Sequence, residues 1–262
     1  MEKDYSWKND AAPLLKETER IDELGRKGYR IVQDTETFCF GIDAVLLAEF
    51  AAVKPGDRVV DLGCGNGILP LLLAGRDKGH SFVGVEIQEG MARLAERNVA
   101  LNGLEKRISI LQEDIKNAAN RLPRASFDGV VTNPPYIRAG AGLINPSSAR
   151  ALARHELACT LADVLRTAAA LLKPGGALFM VYRPDRLEEL LSHLSGFGLA
   201  AKRLRLVHSF QDSEGILLLL EARRGGAPGL KLLPPLILYD SPGRYSREVK
   251  AYYPEITEGA ES

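Results

Sequence analysis

From residue 56 onward the chain alternates short apolar or β-branched runs with stretches of helical periodicity, and few folds accept that order. "RVVDL" (58–62), "SFVGVEI" (81–87), "RISIL" (107–111), "FDGVVTN" (127–133) and "GALFMVY" (176–182) read as strands. Helices are expected at 67–75, at 88–102 with Gly103 as the stop, and at 161–172 with Thr160 as N-cap and "KPGG" as the stop. Strands joined by helical crossovers lie parallel, with both faces of the sheet covered, so the fold class is α/β. "PDRLEELLSHL" (184–194) is one more helix, begun by proline and closed by Gly196 and Gly198. "LAAKRLRLVH" (199–208) and "GILLLLEARR" (215–224) follow with only the polar "SFQDSE" between them, and consecutive strands without a crossover pair antiparallel. The expectation is a seven-stranded, mostly parallel sheet with an antiparallel edge strand.

Before this core, residues 13–26 have the pattern of an amphipathic helix, followed by "YRIVQD" and by a loop that runs into a second helix within "TETFCFGIDAVLLAEFAA". The chain thus divides into an N-terminal helix and lid-like segment packed on the core (1–55), a catalytic unit (56–224) and a C-terminal arm (225–262) ending in a short helix at "SREVKAYY". At 262 residues and 45% hydrophobic content there is enough to bury a full core. Lys+Arg and Asp+Glu are equal at 34 each, so any nucleic-acid contact must come from a local patch. Cys39, Cys64 and Cys159 are odd in number and lack CxxC spacing, which argues against a disulfide frame or a metal site. With no signal segment and no apolar run long enough to span a bilayer, a cytoplasmic protein without membrane contact is expected.

"VVDLGCGNGILPLLLA" puts an acid at a strand end, then glycines at alternate positions, then a helix. Glycines permit a sharp turn and close approach of a ligand to the backbone, and the helix start offers free N–H groups. Dinucleotide enzymes use GxGxxG, whereas Gly63, Gly65 and Gly67 are spaced GxGxG. Asp61 beside the loop would repel a pyrophosphate but suits a ligand with an ammonium group, as in S-adenosylmethionine. Glu86 ends the next strand, where a carboxylate accepts from ribose hydroxyls, and Ile87 is placed to lie on an adenine. Asp114 follows the third strand, positioned to accept from the adenine amine. Acids also cap strands and helices, but three after three successive strands favour a ligand.

The fourth strand ends in "TNPPY". Proline fixes its own φ and holds the preceding residue extended, so Asn133, Pro134, Pro135 and Tyr136 form a stiff loop at the carboxyl edge of the sheet. An exocyclic aromatic amine is a poor nucleophile because its lone pair is delocalised. Two acceptors, the Asn133 side-chain oxygen and the Pro134 carbonyl, match its two hydrogens and draw the nitrogen toward tetrahedral geometry, while Tyr136 stacks on the base.

With these motifs in hand the chain resembles the class I methyltransferases, Rossmann-like in fold, and among them the bacterial tRNA adenine-N6-methyltransferases that modify valine tRNA beside the anticodon. The resemblance runs through "TFCFGIDAVLLA", "DLGCGNG", "GVEIQ", "NPPY", "ARHE", "LLKPGG" and "LKLLPPLILYD". It implies S-adenosylmethionine held by Asp61, Gly63, Gly65, Gly67, Glu86, Ile87, Asp114 and Ile115, a target amine held by Asn133 to Tyr136, and tRNA as partner. Phe40 and Asp43 match a family segment that closes over the methionine end of the cofactor, although Asp43 also reads as a helix N-cap. The loop 138–150 reads as a lid, and His155 as a helix residue that either faces substrate or solvent. Lys202, Arg203, Arg205, His208, Arg244, Arg247 and Lys250 are basic positions suited to phosphates or simply to solvent. Rival readings are a protein-glutamine N5-methyltransferase, another RNA or DNA adenine methyltransferase, and a non-catalytic RNA-binding subunit.

Overall fold

The computed structural model describes residues 15–36, 39–134 and 159–253. Its centre is a nine-stranded sheet. In chain order the first strands of that sheet are β3 (Arg58–Leu62), β4 (Ser81–Glu86), β5 (Ile108–Gln112), β6 (Phe127–Thr132) and β7 (Leu172–Tyr182), all parallel. They are joined by α2 (Ile68–Gly75), α3 (Glu89–Leu101), α4 (Ile115–Arg121) and α5 (Leu161–Leu171). A 3-10 turn, α6 (Leu187–Gly196), β8 (Leu199–His208) and β9 (Gly215–Arg224) complete the expected seven strands. The antiparallel strand β9 lies between β7 and β8, so β8 runs parallel to the rest. Two further strands from the arm, β10 (Lys231–Leu232) and β11 (Leu236–Ile237), pair with β8.

Period-two alternation sorts the strand side chains between two cores. Val59, Val131, Phe179 and Val181 pack with α1 (Ile42–Phe50) and α2, while Val60, Leu62, Val130, Leu178 and Met180 pack with α5 and α6. Lys78 fixes the end of α1 by donating to the carbonyls of Ala48, Glu49 and Ala51 at 2.7, 3.0 and 2.8 Å, a cation on the helix terminus that favours it.

The helix expected over 13–26 is not formed where the chain is described. Residues Glu19–Glu23 (β1) and Arg30–Asp34 (β2) make an antiparallel hairpin. Its turn is made by Gly25, Lys27 and Gly28, all with positive φ, a conformation that ends a helix. The hairpin also finds tertiary partners on α3 that no local helix would offer. Arg97 donates to both oxygens of the buried Glu19 at 2.7 and 3.0 Å. Asn98 and Asn102, one turn apart, pair through their amides with the backbones of Val32 and Arg30.

The arm crosses β8 and then turns back as the hairpin β12 (Tyr239–Ser241) and β13 (Arg244–Tyr245), followed by α7 (Arg247–Lys250), capped by Ser246. Since β11 is parallel to β8 and ends beside His208, this hairpin lies at the carboxyl edge of the sheet, the edge that also carries the ends of β3, β4 and β6.

Candidate active site

At the end of β3 the chain turns through Gly63, Gly65 and Gly67 at φ of 79°, 55° and 84°, values that suit glycine. Gly63 and Cys64 both donate to the Val85 carbonyl at the end of β4. A Cβ on Gly67 would come within 3.3 Å of Ala95 on α3, so this glycine also lets two helices approach. The loop is tied from below by Asn98, whose amide nitrogen donates to the Asn66 carbonyl at 3.0 Å and to the Val32 carbonyl at 3.1 Å.

Glu86 is buried, and both of its oxygens accept from the backbone: the Gly65 N–H at 3.0 Å and the Gln88 N–H at 2.8 Å. A carboxylate has lone pairs for about four hydrogen bonds, so it keeps acceptor capacity. Beside it Asp61 is 1% exposed, and among the described residues neither of its oxygens has a hydrogen-bond partner. Burial pushes its carboxyl well above the usual range, and the Glu86 charge adds to that. A buried acid without partners is expensive unless a cation or donor completes it, and it fits the ammonium of S-adenosylmethionine.

Ile87 is exposed, and Ile115 brings its Cδ1 to 3.7 Å from the position of a Gly63 Cβ. Asp114 is the N-cap of α4: it accepts from the Lys116 N–H at 2.9 Å and pairs with the Lys116 ammonium at 3.2 Å. Its capping role is therefore structural as well as positional.

Asn133 follows β6, next to β3 in the sheet, and Thr132 binds the two strand ends together by donating to the Leu62 carbonyl at 2.8 Å. The Asn133 amide nitrogen donates to Asp43 at 3.1 Å. A carboxylate accepts and cannot donate, so this contact assigns the nitrogen of the amide to Asp43 and leaves the Asn133 oxygen as an acceptor. The N-cap of α1 is Gly41; Asp43 sits in the first turn and is buried. Phe40 is held through its backbone, which donates to the buried Gln33 side chain at 2.9 Å. Pro134 is buried. Pro135, Tyr136, His155 and the 138–150 loop lie outside the described residues.

The expected basic positions divide. Arg203 pairs with Glu221 at 2.5 Å and donates to the Phe50 carbonyl, and Arg205 makes a two-pronged pair with Glu248 at 2.6 and 2.8 Å. Lys202 donates to the Ala227 carbonyl, and the His208 ring nitrogen lies 2.6 Å from the Ser213 carbonyl. Arg244 and Arg247 are exposed on the arm. Gln33, Asn66 and Asn98 carry the loop geometry and were not singled out from the sequence; two asparagines four apart on a core-facing helix were the available sign. Among the described residues, no three of His, Cys, Asp and Glu gather as a metal site would require.

A glycine turn after the first parallel strand, acids at successive strand ends and an Asn-Pro loop on the neighbouring strand define the Rossmann-like class I methyltransferase layout. Residues 31–197 match the methyltransferase small domain model, and the chain belongs to that family. It is 30% identical to the tRNA1(Val) (adenine(37)-N6)-methyltransferase of Tolumonas auensis, over 88% of this chain and 94% of that one. The protein of the same name from Porphyromonas gingivalis is 30% identical over 83% of this chain and 86% of its own. Among solved structures, a predicted O-methyltransferase from Agrobacterium tumefaciens superposes with a TM-score of 0.66 at 25% identity, covering 81% and 96% of the two chains. Geranyl diphosphate C-methyltransferase from Streptomyces coelicolor shares the fold, with a TM-score of 0.51 at 15% identity over 69% and 78%.

Proposed function

We propose that the protein transfers a methyl group from S-adenosylmethionine to the N6 amine of an adenosine in tRNA, as the names of its relatives describe for position 37 of a valine tRNA. The observation that carries this reading is the Asn133–Asp43 contact at 3.1 Å, which commits the asparagine oxygen to the role of acceptor. That oxygen and the Pro134 carbonyl take the two N–H bonds of the adenine amine, turning its lone pair out of conjugation. Pro135 and Tyr136 enter from the sequence, as the stiffener of the loop and the stacking surface for the base.

S-adenosylmethionine supplies an electrophilic methyl on a positively charged sulfur, so the reading calls for no metal. Asp61 and Glu86, with the glycine loop, Ile87, Asp114 and Ile115, would hold it, and Phe40 with the α1 start would close over it. The hairpin and α1 act as the lid-like unit of 1–55, the sheet as the catalytic unit of 56–224, and 225–262 as an arm. A tRNA substrate fits a cytoplasmic protein, and no described helix is long and apolar enough to cross a membrane.

Labelled methyl transfer to separated RNA, DNA and protein fractions tests the reading. Unmodified valine tRNA transcript is expected to take up label and yield N6-methyladenosine on digestion, and a transcript with inosine at the target, which lacks the amine, to take up none. Label in protein or in a ring-nitrogen product would overturn it.

A further inference from the structure

Four aromatic rings stand in a row at the carboxyl edge of the sheet. Phe210 comes from the turn between β8 and β9, Tyr239 and Tyr245 are the cross-strand pair of β12 and β13, and Tyr253 follows α7. Phe210 and Tyr239 are 5.8 Å apart between ring centres at 40°, Tyr239 and Tyr245 are stacked at 5.1 Å and 14°, and Tyr245 and Tyr253 at 6.3 Å and 19°. The inner rings help to fasten the arm to the core. Fastening does not account for Phe210, which is 38% exposed at the outer end of the row. Its turn is nonetheless held in one shape, since Ser213 accepts from the Phe210 N–H at 3.0 Å and donates to its carbonyl at 2.9 Å. A rigid turn that presents an aromatic ring to solvent is suited to a flat partner.

The inner end of the row packs on the same side of the sheet as α1: Tyr253 lies against the core cluster that contains Ala44, Val45 and Leu47 of that helix, whose first turn carries Asp43, the residue that holds Asn133. The charges beside the row are mixed in sign. Arg244 and Arg247 are exposed, and the nearby Glu248 carboxylate is taken up by Arg205 and by the Tyr252 hydroxyl at 2.7 Å. Asp212, Glu214 and Asp240 are exposed close to the row in sequence, so the net field does not favour an anion and ring stacking must supply most of the attraction.

We propose that this row is a docking track for unpaired bases of the substrate RNA, with Phe210 stacking on a nucleotide outside the target and Arg244 and Arg247 meeting the backbone. The proposal rests on the RNA reading above and adds to it the surface that receives the loop. Single-stranded loops present base faces that a duplex hides, and aromatic side chains accept any base. The track therefore selects a loop over a duplex without reading sequence, and it leaves recognition of the target adenine to Asn133 and Pro134.

The test uses the full chain and a hairpin transcript with the target adenosine in its loop, with binding followed by fluorescence anisotropy. Phe210→Ala is expected to weaken hairpin binding about tenfold, as for loss of one base stack. Phe210→Glu, which cannot stack and repels phosphate, is expected to weaken it further, and Phe210→Trp to retain it. S-adenosylmethionine affinity and turnover at saturating RNA should stay as in wild type, because Phe210 touches none of the reacting groups. Arg244→Gln should lower the slope of log affinity against log salt by about 1, a change that loss of stacking does not produce. Hairpin affinity unchanged in both Phe210→Ala and Phe210→Glu would overturn the track while wild-type RNA methylation still stood. A wild-type protein that methylates no RNA would overturn the substrate reading as well, and a Phe210 effect confined to a protein substrate would assign the row to a polypeptide partner instead.

Discussion

Asp61 sits where a carboxyl group is least comfortable, sealed from water and with no donor among the described residues. In the unfolded chain it loses its proton near pH 4, and in the fold it keeps that proton to a much higher pH because burial and Glu86 both oppose the charge. As pH rises from about 4 the unfolded state therefore binds fewer protons than the folded one, and this group's contribution to stability falls. Asp61→Asn should raise the melting temperature of the ligand-free protein at neutral pH, with the gap over wild type shrinking as pH is lowered toward 4. The same change should weaken cofactor binding by about 1–3 kcal/mol, read by calorimetry. An Asp61→Asn protein that binds the cofactor as well as wild type would remove the ammonium from this position. Asn133→Ala should lower turnover about a hundredfold or more with cofactor affinity nearly intact, since it removes a contact used mainly in the transition state. Asp43→Leu should reproduce much of that turnover loss by freeing the amide to rotate, and Asp43→Asn, which still offers an oxygen to Asn133, should restore part of it. Equal kinetics for the leucine and asparagine variants would show that Asp43 does not set the amide. The residue types of this site were legible because charge and proline at strand ends stand out in an apolar sequence. That Asp43 reaches Asn133 was not, because ninety residues of chain separate them and their meeting depends on α1 being laid against the end of β6.

At the scale of elements, the strands of the sheet and most of its crossover helices were readable from period, since a buried parallel strand has few alternatives, whereas the seven-residue α4, with only Ala118 buried, carries too little apolar period to be seen. The N-terminal hairpin was not. Its residues 13–26 carry enough spaced apolar and charged positions to imitate a helix, and the decision falls to Gly25, Lys27 and Gly28 at the turn and to α3, which lies far along the chain. Asn98 and Asn102 replace a neighbouring strand for β2, Arg97 holds Glu19 of β1, and Asn98 also holds the glycine loop. Hairpin, helix and loop are thereby one mechanical unit. Asn98→Ala should leave the Val32 N–H and carbonyl and the Asn66 carbonyl without their partner in a buried setting, costing about 2–4 kcal/mol in a urea or thermal melt. It should also weaken cofactor binding, although Asn98 lies beneath the loop. A melt shift without any change in cofactor affinity would separate the hairpin from the loop.

Across the whole molecule, the arm is the part that sequence described least well. Two-residue strands such as β10 and β11 have no pattern of their own, and their existence depends on the free side of β8. Glu248 on α7 and Arg205 on β8 fasten the arm to the sheet, so Arg205→Ala should lower the melting temperature and expose the 225–253 segment to protease before the core unfolds. Cleavage that begins elsewhere would argue against this fastening. The coverage of β8 has a consequence for how the protein is made. Strand β8 is ten residues long, and its outer side is paired at Arg203, Leu204, Val207 and His208 by a segment that is synthesised after it. Until then the nascent sheet carries an open edge able to pair with another copy. A chain ended after Arg224 keeps that edge permanently and should gather into large, light-scattering assemblies on expression, so that the arm guards the newborn protein against its own kind.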